Sequence, residues 1–483
     1  MKRKLLYVLK KTILTTTQIV VSSLIGAIVL YIYLMNNRPD LNLWHTVDLD
    51  EEFTVERQTD IDTFDAYLAL ENTLFDQLER EVYDQASTSQ RSALNRFDSG
   101  SLADPTGYPK NWNRSFVLKP DQPRGGVLLV HGLSDSPYSL RTLAKALFNQ
   151  GYYVLGLRMP GHGTAPSGLI HASWQDMAAA VKLAAVNVSQ NTSGKIPISI
   201  VGYSMGAAQA VNYSLTALQD PSLPQVNTLV LISPAIGVSS VASLAVWQSR
   251  LSVIPGLEKL AWNSIGPEYD PYKYNSFAVN AGDQMYRLTQ VINEKLLQLN
   301  NANQNKIFPR TIAFMSAIDA TVSTHAVVSH LFNKIDNPEN ELVIYDINRN
   351  ESYTPFVKKD PIEDYSHILD YGNLKFNLTL YSDQSTDTDT MMAHKWLRSN
   401  EESTLEPTDM VWPRHVYSLS HVALPFPPND SFYGPTPESS NGLKIGQLET
   451  KGEKGLLNIA ASDMLRLRYN PFYASMQKKI VEF

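Results

Sequence analysis

The chain contains no cysteine, which excludes disulfide bonds, thiolate-bound zinc, iron–sulfur clusters and a thiol nucleophile. It also lacks an excess of basic charge, because 41 Lys and Arg stand against 48 Asp and Glu. Nucleic acid binding needs clustered Lys and Arg, so no nucleic acid partner is expected. Charged residues make up 18% of the 483 positions and hydrophobic residues 43%, which predicts a folded chain of several units or one large domain with insertions.

Charge is absent altogether from residues 12–37, and residues 19–35 are almost wholly apolar. Such a stretch is long enough to cross about 30 Å of hydrocarbon. It ends in bulky side chains, including Tyr31 and Met35, where a cleaved signal peptide would have small residues. The sequence therefore predicts a transmembrane anchor over 12–37, with a buried N-terminal helix as the alternative.

Positive charge flanks this stretch unevenly. Five Lys and Arg precede it within residues 1–11, and only Arg38 closely follows it. The positive-inside bias predicts a cytoplasmic N-terminus and a single-pass protein whose residues 38–483 are periplasmic or extracellular.

Residues 38–112 are predicted to form a juxtamembrane unit that contains no catalytic or binding motif. Apolar residues recur at helical spacing from Phe64 to Val82, with charged residues between them, which is typical of an amphipathic helix. That helix either packs on the main domain or spaces it from the bilayer. Residues 87–109 are rich in Ser, Asp, Gly and Pro and predict a polar connector.

From about residue 114, short apolar runs alternate with stretches of helical periodicity. Apolar runs of this kind are typical of parallel strands buried on both faces, and the alternation predicts a doubly wound α/β domain over 113–483. The predicted strands are 126–130, 152–157, 196–201, 228–232 and 311–315, and the predicted helices are 140–150, 174–188 and 207–218.

The motif Gly202-Tyr203-Ser204-Met205-Gly206 lies between a predicted strand and a predicted helix. Glycines at these positions allow a tight, strained turn that lifts the Ser204 hydroxyl out of the backbone at a helix N-terminus. Ser204 is therefore the candidate nucleophile. An ordinary glycine-rich turn is the alternative.

Two further loops follow predicted strands. A nucleophile that attacks a carbonyl group needs two donors for the oxyanion, and we assign them to the backbone amides of Leu133 and Met205. Leu133 belongs to the sequence His131-Gly132-Leu133-Ser134-Asp135. We interpret His131 as a structural residue rather than a base, and His162, in the sequence Pro160-Gly161-His162-Gly163, likewise.

These three motifs together resemble the α/β-hydrolase superfamily, in particular its monoglyceride lipase and serine aminopeptidase-like branch. The resemblance covers roughly residues 114–332. It implies an α/β-hydrolase fold with a mostly parallel sheet, a helical lid over about 236–305, and a triad in the order Ser, Asp, His. It implies no metal and no organic cofactor.

The acid implied by this resemblance is Asp319, because an apolar strand ends just before it and the following Ala-Thr-Val resembles the acid turn of the family. Asp346, after the apolar residues 342–345, is the alternative.

For the histidine, His421 is preferred because it ends the alternating run 416–420, which predicts a strand, and begins a proline-rich loop. His367 is the second candidate. The other histidines lie on the helix after the acid, in an acidic stretch, or elsewhere in this half of the chain: His325, His330, His394 and His415.

The 102 residues that separate Asp319 from His421 exceed the few dozen usual in the family. This spacing requires a late insertion, which we place at about 346–411. It contains a possible extra strand at 374–380 and an acidic run over 383–409.

The expected function is hydrolysis of a carboxylic ester, a small-molecule substrate that is lipid-derived or carries an acyl chain. This expectation rests on apolar residues in the lid, with packing against the core as the alternative: Leu244, Trp247, Leu251, Val253, Ile254, Leu257, Leu260 and Trp262. Two other functions stay open. One is an aminopeptidase-type amide hydrolase with Glu268, Asp270 or Asp283 near the substrate amine, and the other is a binding protein without catalytic activity. The sequence does not predict an oligomeric state.

Overall fold

The structure is a computed structural model that describes residues 2–86, 94–192, 197–237, 250–319, 321–350, 360–362, 374–398, 400, 402–435, 451–452 and 465–483. Its centre is a ten-stranded sheet with the order β1-β3-β2-β4-β5-β8-β9-β10-β11-β12. The strands are β1 Phe116–Leu118, β2 Gly126–Val130, β3 Tyr153–Leu157, β4 Ile198–Tyr203, β5 Val226–Ile232, β6 Trp262–Ser264, β7 Phe277–Ala278, β8 Arg310–Ser316, β9 Glu341–Tyr345, β10 Asn377–Asp383, β11 Thr390–Trp396, β12 Ser403–Val411, β13 Lys451–Gly452 and β14 Leu465–Arg466.

The neighbouring strands from β3 to β10 in this order are parallel, and the pairings at the two edges are antiparallel. Every residue of the inner strands β2 and β3 is buried. A strand covered on both faces needs apolar residues at every position, which is why these strands are continuous apolar runs in the sequence. The mostly parallel α/β architecture is therefore confirmed.

Helices cover both faces of the sheet. Successive residues of β2 point to opposite faces, with Leu128 in one core cluster and Leu129 in the other. Helices α6, α7 and α8 contribute to the first cluster, and α4 and α10 to the second. The helices are α1 Lys2–Asn36, α2 Leu43–Thr46, α3 Phe64–Leu78, α4 Arg141–Asn149, α5 Gly168–His171, α6 Trp174–Gln190, α7 Met205–Gln219, α8 Val279–Asn301, α9 Thr324–Val327 and α10 Tyr473–Glu482.

The N-terminal helix α1 contains a stretch, Leu9–Leu34, that is long and apolar enough to cross a membrane. Its mean hydropathy is 2.0, and its most hydrophobic part is not buried against the protein. The expected apolar N-terminal helix is therefore present.

The residues after α1 pack on the domain built around the central sheet. Phe64 and Tyr67 of α3 belong to the main core. Arg158, which is 1% exposed, forms ion pairs with Glu52 at 2.8 Å and with Glu71 at 3.1 Å. The amphipathic helix is thus an integral part of the fold and does not act as a spacer.

In its described part, residues 236–237 and 250–305, the lid is less helical than the sequence suggested. It contains short 3-10 turns, Leu251–Val253 and Glu258–Ala261, followed by the two-stranded ribbon of β6 and β7 and then the long helix α8. Leu260 and Trp262 are buried, whereas Val253 and Ile254 are exposed. Leu244 and Trp247 lie outside the described residues.

The late insertion lengthens the sheet. The extra strand predicted at 374–380 is observed as β10, and the acidic run contains β11 and β12. The prediction of a strand at Val416–Ser420 is wrong. All five of its residues are buried, so their alternating polarity does not correspond to alternating faces of a strand.

Candidate active site

Ser204 lies between the end of β4 and the start of α7, at the edge of the sheet where the carboxyl ends of the parallel strands meet. Its backbone has φ 54° and ψ −115°, a conformation that few residues other than glycine adopt. A Cβ on Gly206 would lie 2.1 Å from the carbonyl oxygen of Val130. The turn therefore needs glycine at this position, and it holds Ser204 in one place.

Three side chains predicted from separate motifs lie within hydrogen-bond distance of each other. His421 Nε2 is 3.0 Å from Ser204 Oγ, and His421 Nδ1 is 2.9 Å from Asp319 Oδ2. The Asp319 side chain is fully buried and that of His421 is 5% exposed. The arrangement forms a continuous path from the hydroxyl group through the imidazole to the carboxylate.

Asp319 follows β8, and its Oδ1 accepts hydrogen bonds from the backbone amides of Thr321 and Val322. Burial raises the pKa of Asp319, but the charge of His421 and these hydrogen bonds outweigh burial and hold the pKa below its usual value. Asp319 is therefore a carboxylate at neutral pH. The alternative acid, Asp346, instead binds Arg349 and Ser382.

His421 begins a 3-10 turn, His421–Ala423, in a loop that neighbouring elements hold in place. The Ser316 hydroxyl donates to the carbonyl of Leu419 at 3.0 Å, and the Tyr203 hydroxyl donates to the carbonyl of His421 at 3.4 Å. Buried contacts to the ends of β8 and β4 thus position the imidazole, where the sequence suggested a preceding strand.

The other candidate histidines lie elsewhere. His394 is on β11, His415 has a φ of 64° in a turn, and His325 and His330 are exposed on the chain after Asp319. His367 lies outside the described residues.

The two amides assigned to an oxyanion belong to Met205, which follows Ser204 in the chain, and to Leu133, which lines a cavity together with Ser204. Met205 is the first residue of α7, and Leu133 follows β2. Neither backbone amide donates a hydrogen bond to any residue in the described part of the chain. Both are therefore available as donors.

His131 and His162 support the backbone of the loops around this site. His131 Nδ1 donates to the carbonyl of Gly132, and His131 Nε2 accepts from the amide of Met159. Burial lowers the pKa of His131 well below its ordinary value and that of His162 to about 4. Both imidazoles are therefore neutral, which agrees with structural roles.

A cavity of about 380 Å³ opens beside Ser204 and His421. Apolar side chains dominate its wall: Leu133, Ala235, Phe277, Met285, Val322 and Val422. Ser134, Asp135, Lys273 and Thr321 supply its polar part. The cavity suits a molecule with an apolar chain and a small polar portion.

Glu268, Asp270 and Asp283, the three carboxylates considered for binding a substrate amine, do not line this cavity. Glu268 accepts hydrogen bonds from the amides of Asn275 and Ser276. Asp270 accepts from the Tyr433 hydroxyl, and Asp283 forms an ion pair with Arg287. Each of these carboxylates is occupied by the protein itself.

One feature of the site was not predicted from the sequence. Lys273, in the lid, forms an ion pair of 2.8 Å with Asp135, and the amide of Tyr274 donates to the carbonyl of Ser134. These contacts connect the lid to the loop that carries the Leu133 amide. No sequence pattern connects positions 138 residues apart, so only the folded structure reveals the pair. The described residues contain no group of three His, Asp or Glu side chains that could bind a metal ion.

Comparison with known proteins finds one matching family model and one similar curated protein. Residues 121–346 match the family model described as serine aminopeptidase, S33. Over 118 residues the chain is 31% identical to a thermostable monoacylglycerol lipase of Bacillus sp. (strain H-257). That match covers 24% of this chain and 44% of the relative, which is less than half of the relative's length.

Two solved structures are also similar. The monoacylglycerol lipase of Paleococcus ferrophilus is 18% identical, with 53% of this chain and 96% of that chain covered at a TM-score of 0.36. A soluble variant of monoglyceride lipase from Saccharomyces cerevisiae, in complex with a substrate analog, is 16% identical. That comparison covers 48% of this chain and 81% of the other at a TM-score of 0.36.

Proposed function

The chain carries an α/β-hydrolase domain of the serine aminopeptidase and monoglyceride lipase-like branch, and we propose that it is a serine hydrolase that cleaves carboxylic esters. The observation that carries this proposal is the continuous contact of Ser204, His421 and Asp319, at 3.0 Å and 2.9 Å.

In the first step, Ser204 Oγ attacks the ester carbonyl carbon and its proton passes to His421 Nε2. Asp319 accepts the hydrogen bond from His421 Nδ1, which fixes the tautomer that leaves Nε2 free to accept a proton. A buried carboxylate with a lowered pKa also stabilises the imidazolium that forms. This step therefore depends on all three side chains.

The carbonyl oxygen becomes an oxyanion, which the amides of Leu133 and Met205 stabilise. The intermediate collapses to an acyl-enzyme on Ser204, and the alcohol leaves with the proton from His421. Water then attacks the acyl group, gives its proton to His421 and releases the acid, and the proton returns to Ser204 Oγ. The cycle needs no cofactor.

The substrate class follows from the cavity. Its apolar wall suits an acyl chain, and its polar part suits an alcohol with further hydroxyl or charged groups. The occupied state of Glu268, Asp270 and Asp283 favours an ester over a peptide with a free amine. We therefore place esters of long-chain acids, lipid-derived ones included, first among the substrates.

The helix α1 serves in this proposal as a single-pass anchor. The five basic residues within 1–11 lie in the cytoplasm, and the hydrolase domain lies on the periplasmic or extracellular side. Protease protection of sealed spheroplasts or cells tests this orientation, because only an outward domain is digested without lysis.

Covalent labelling tests the nucleophile. A fluorophosphonate probe should label the full chain in detergent, and Ser204→Ala should abolish labelling. Ser214→Ala, on a buried serine further along α7 whose hydroxyl bonds to Ala210, is the matched control and should be labelled normally. Equal labelling of the Ser204→Ala variant and the unsubstituted protein would reject the assignment and reopen a role in binding alone.

A pair of substrates tests the bond that is cleaved. The rate with a p-nitrophenyl acyl ester is compared with the rate with an aminoacyl p-nitroanilide. We expect the ester to be preferred by at least about tenfold in kcat/KM after correction for the uncatalysed rates. A preference for the anilide would favour the aminopeptidase-type alternative.

A further inference from the structure

The chain that follows the apolar helix is bound directly to the lid. Arg38 Nη1 donates to the carbonyl oxygens of Trp262 and Asn263, at 2.6 Å and 3.1 Å. Lys259 Nζ donates to the carbonyl oxygen of Arg38 and to Asp40 Oδ1, both at 2.9 Å. We call these contacts of Arg38, Asp40 and Lys259 the juxtamembrane clamp.

The clamp lies close to the end of the apolar helix. The apolar stretch ends at Leu34 and α1 ends at Asn36. Two helical residues and two extended residues reach at most about 10 Å, so Arg38 cannot lie further than this from the last apolar turn. If α1 spans the bilayer, as the proposed function states, the clamp holds residues 259–263 at the level of the lipid headgroups.

Two exposed aliphatic side chains stand next to the clamp. Val253 is 83% exposed and Ile254 is 47% exposed. They lie on the 3-10 turn Leu251–Val253 and just after it, and this turn packs against the turn Glu258–Ala261 that carries Lys259. Transfer of such side chains from water into an apolar layer is favourable.

The clamp also connects to the cavity. Arg38 binds the carbonyl groups of β6, which pairs with β7 through Ser264 and Phe277. Phe277 lines the cavity beside Ser204. The clamp therefore contacts β6, and the neighbouring strand β7 contributes Phe277 to the wall of the cavity.

We infer that the clamp docks the catalytic domain on the bilayer in one orientation, with the Val253–Ile254 turn inserted among the lipids and the cavity adjacent to the bilayer surface. The partner is the lipid surface itself. The preferred substrates are amphiphilic esters that reside in that surface. This inference rests on the proposed membrane span of α1 and extends it.

The absence of cysteine allows the docking to be tested with single labels. The full chain carrying Val253→Cys is labelled with bimane and reconstituted in phosphatidylcholine vesicles that contain spin-labelled lipids. Two matched proteins carry the label elsewhere. Val20→Cys lies within the apolar helix, and Leu405→Cys lies on β12 at the far edge of the sheet, where the leucine is 60% exposed.

We expect spin-labelled lipids to quench the labels at positions 20 and 253, and to leave the label at position 405 unquenched. If the label at 20 is quenched and the label at 253 behaves like the one at 405, the docking inference is wrong and the span stands. If the label at 20 is not quenched, the span is wrong and the inference fails with it.

The clamp itself is tested in the same vesicles. Arg38→Ala combined with Lys259→Ala should remove most of the quenching at 253 and none at 20. Lys395→Ala, which removes an exposed ion pair with Glu406, is the control and should change neither. Undiminished quenching at 253 in the double variant would show that the clamp does not orient the domain.

A rate ratio separates docking from catalysis. Val253→Asp with Ile254→Asp should lower the hydrolysis of a long-chain monoester in vesicles, relative to a soluble short-chain ester, by about tenfold. An unchanged ratio contradicts the inference. Hydrolysis of the soluble ester by the unsubstituted protein needs Ser204 but no docking on the bilayer. Absence of that hydrolysis would therefore contradict the proposed function, whereas an unchanged ratio contradicts only the docking inference.

Discussion

Lys273 Nζ lies 2.8 Å from Asp135 Oδ2, and this ion pair joins the lid to the loop that presents the Leu133 amide. Asp135 is only 4% exposed, and Lys273 forms an ion pair with it in this buried position. The pair stands where the cavity is polar, within the same wall as Ser204.

Replacing Lys273 by methionine should therefore disturb the oxyanion loop. Loss of one oxyanion donor in a serine hydrolase lowers kcat by about 10²-fold to 10³-fold, and a displaced donor should have a smaller effect. We expect Lys273→Met to lower kcat on a soluble ester by about tenfold or more, with a smaller change in KM. Lys273→Arg should retain most activity. Full kcat in the methionine variant would show that the pair does not position the loop.

Arg158 supplies a prediction about stability. Its guanidinium group is buried between Glu52 and Glu71, and removal of Glu71 leaves the buried charge only partly compensated, by Glu52. We expect Glu71→Gln to lower the free energy of unfolding by about 3 kcal/mol, measured by urea unfolding in detergent. The half-exposed pair of Arg57 and Glu51 is the matched control. Glu51→Gln should cost less than about 1 kcal/mol, and equal effects would mean that Arg158 does not depend on α3.

Glu268 predicts how stability changes with pH. Burial raises its pKa to about 7, from an ordinary value of 4.5. The folded protein therefore binds this proton more tightly than the unfolded chain, and its stability falls as pH rises from 4.5 to 7. The loss attributable to Glu268 is at most about 3 kcal/mol.

Urea unfolding at pH 4.5, 6 and 8 measures this dependence. Glu268→Gln should flatten the decrease, whereas substitution of the exposed Glu56 by glutamine should leave it as it is. If the pH dependence of the Glu268→Gln variant matches that of the unsubstituted chain, the raised pKa is not a source of it.

Gly206 tests the geometry of the turn that carries Ser204. A methyl group there would meet the carbonyl oxygens of Val130 and His131 at 2.1 Å and 2.4 Å, and backbone atoms cannot move aside cheaply. Gly206→Ala should therefore reduce fluorophosphonate labelling by at least about tenfold, because a displacement of about 1 Å costs on the order of 10²-fold in rate. Gly107→Ala, where a Cβ meets nothing within 4 Å, should be labelled normally.

The inner strands could be predicted from the sequence because a strand that is buried on both faces is a continuous run of apolar residues. The apolar residues of β2 and β3 predict their strands almost to the residue. The edge strands could not, because β12 is mostly exposed and carries the polar residues of the acidic run. Its position comes from pairing with β11, which no local pattern reports.

The residues of the candidate site also divide into those that a local sequence pattern indicates and those that only long-range contacts position. Ser204 is marked by local turn chemistry, and Asp319 by the strand before it. His421 was selected from a predicted strand that is absent, and what holds it is a set of buried contacts to distant elements. The pairs formed by Lys273 with Asp135 and by Arg158 with Glu71 also join residues far apart in the chain, and no local sequence pattern indicates them.

The long excursion from Asp319 to His421 has a thermodynamic consequence. Both residues lie on the same rim of the sheet, so the chain between them is a closed loop whose two ends are fixed. The entropy lost on closing such a loop grows only logarithmically with its length, by about 0.6 kcal/mol for each doubling. The entropic cost of holding the carboxylate beside the imidazole therefore depends only weakly on how many residues intervene, so an insertion that adds strands to the sheet is compatible with an intact pair.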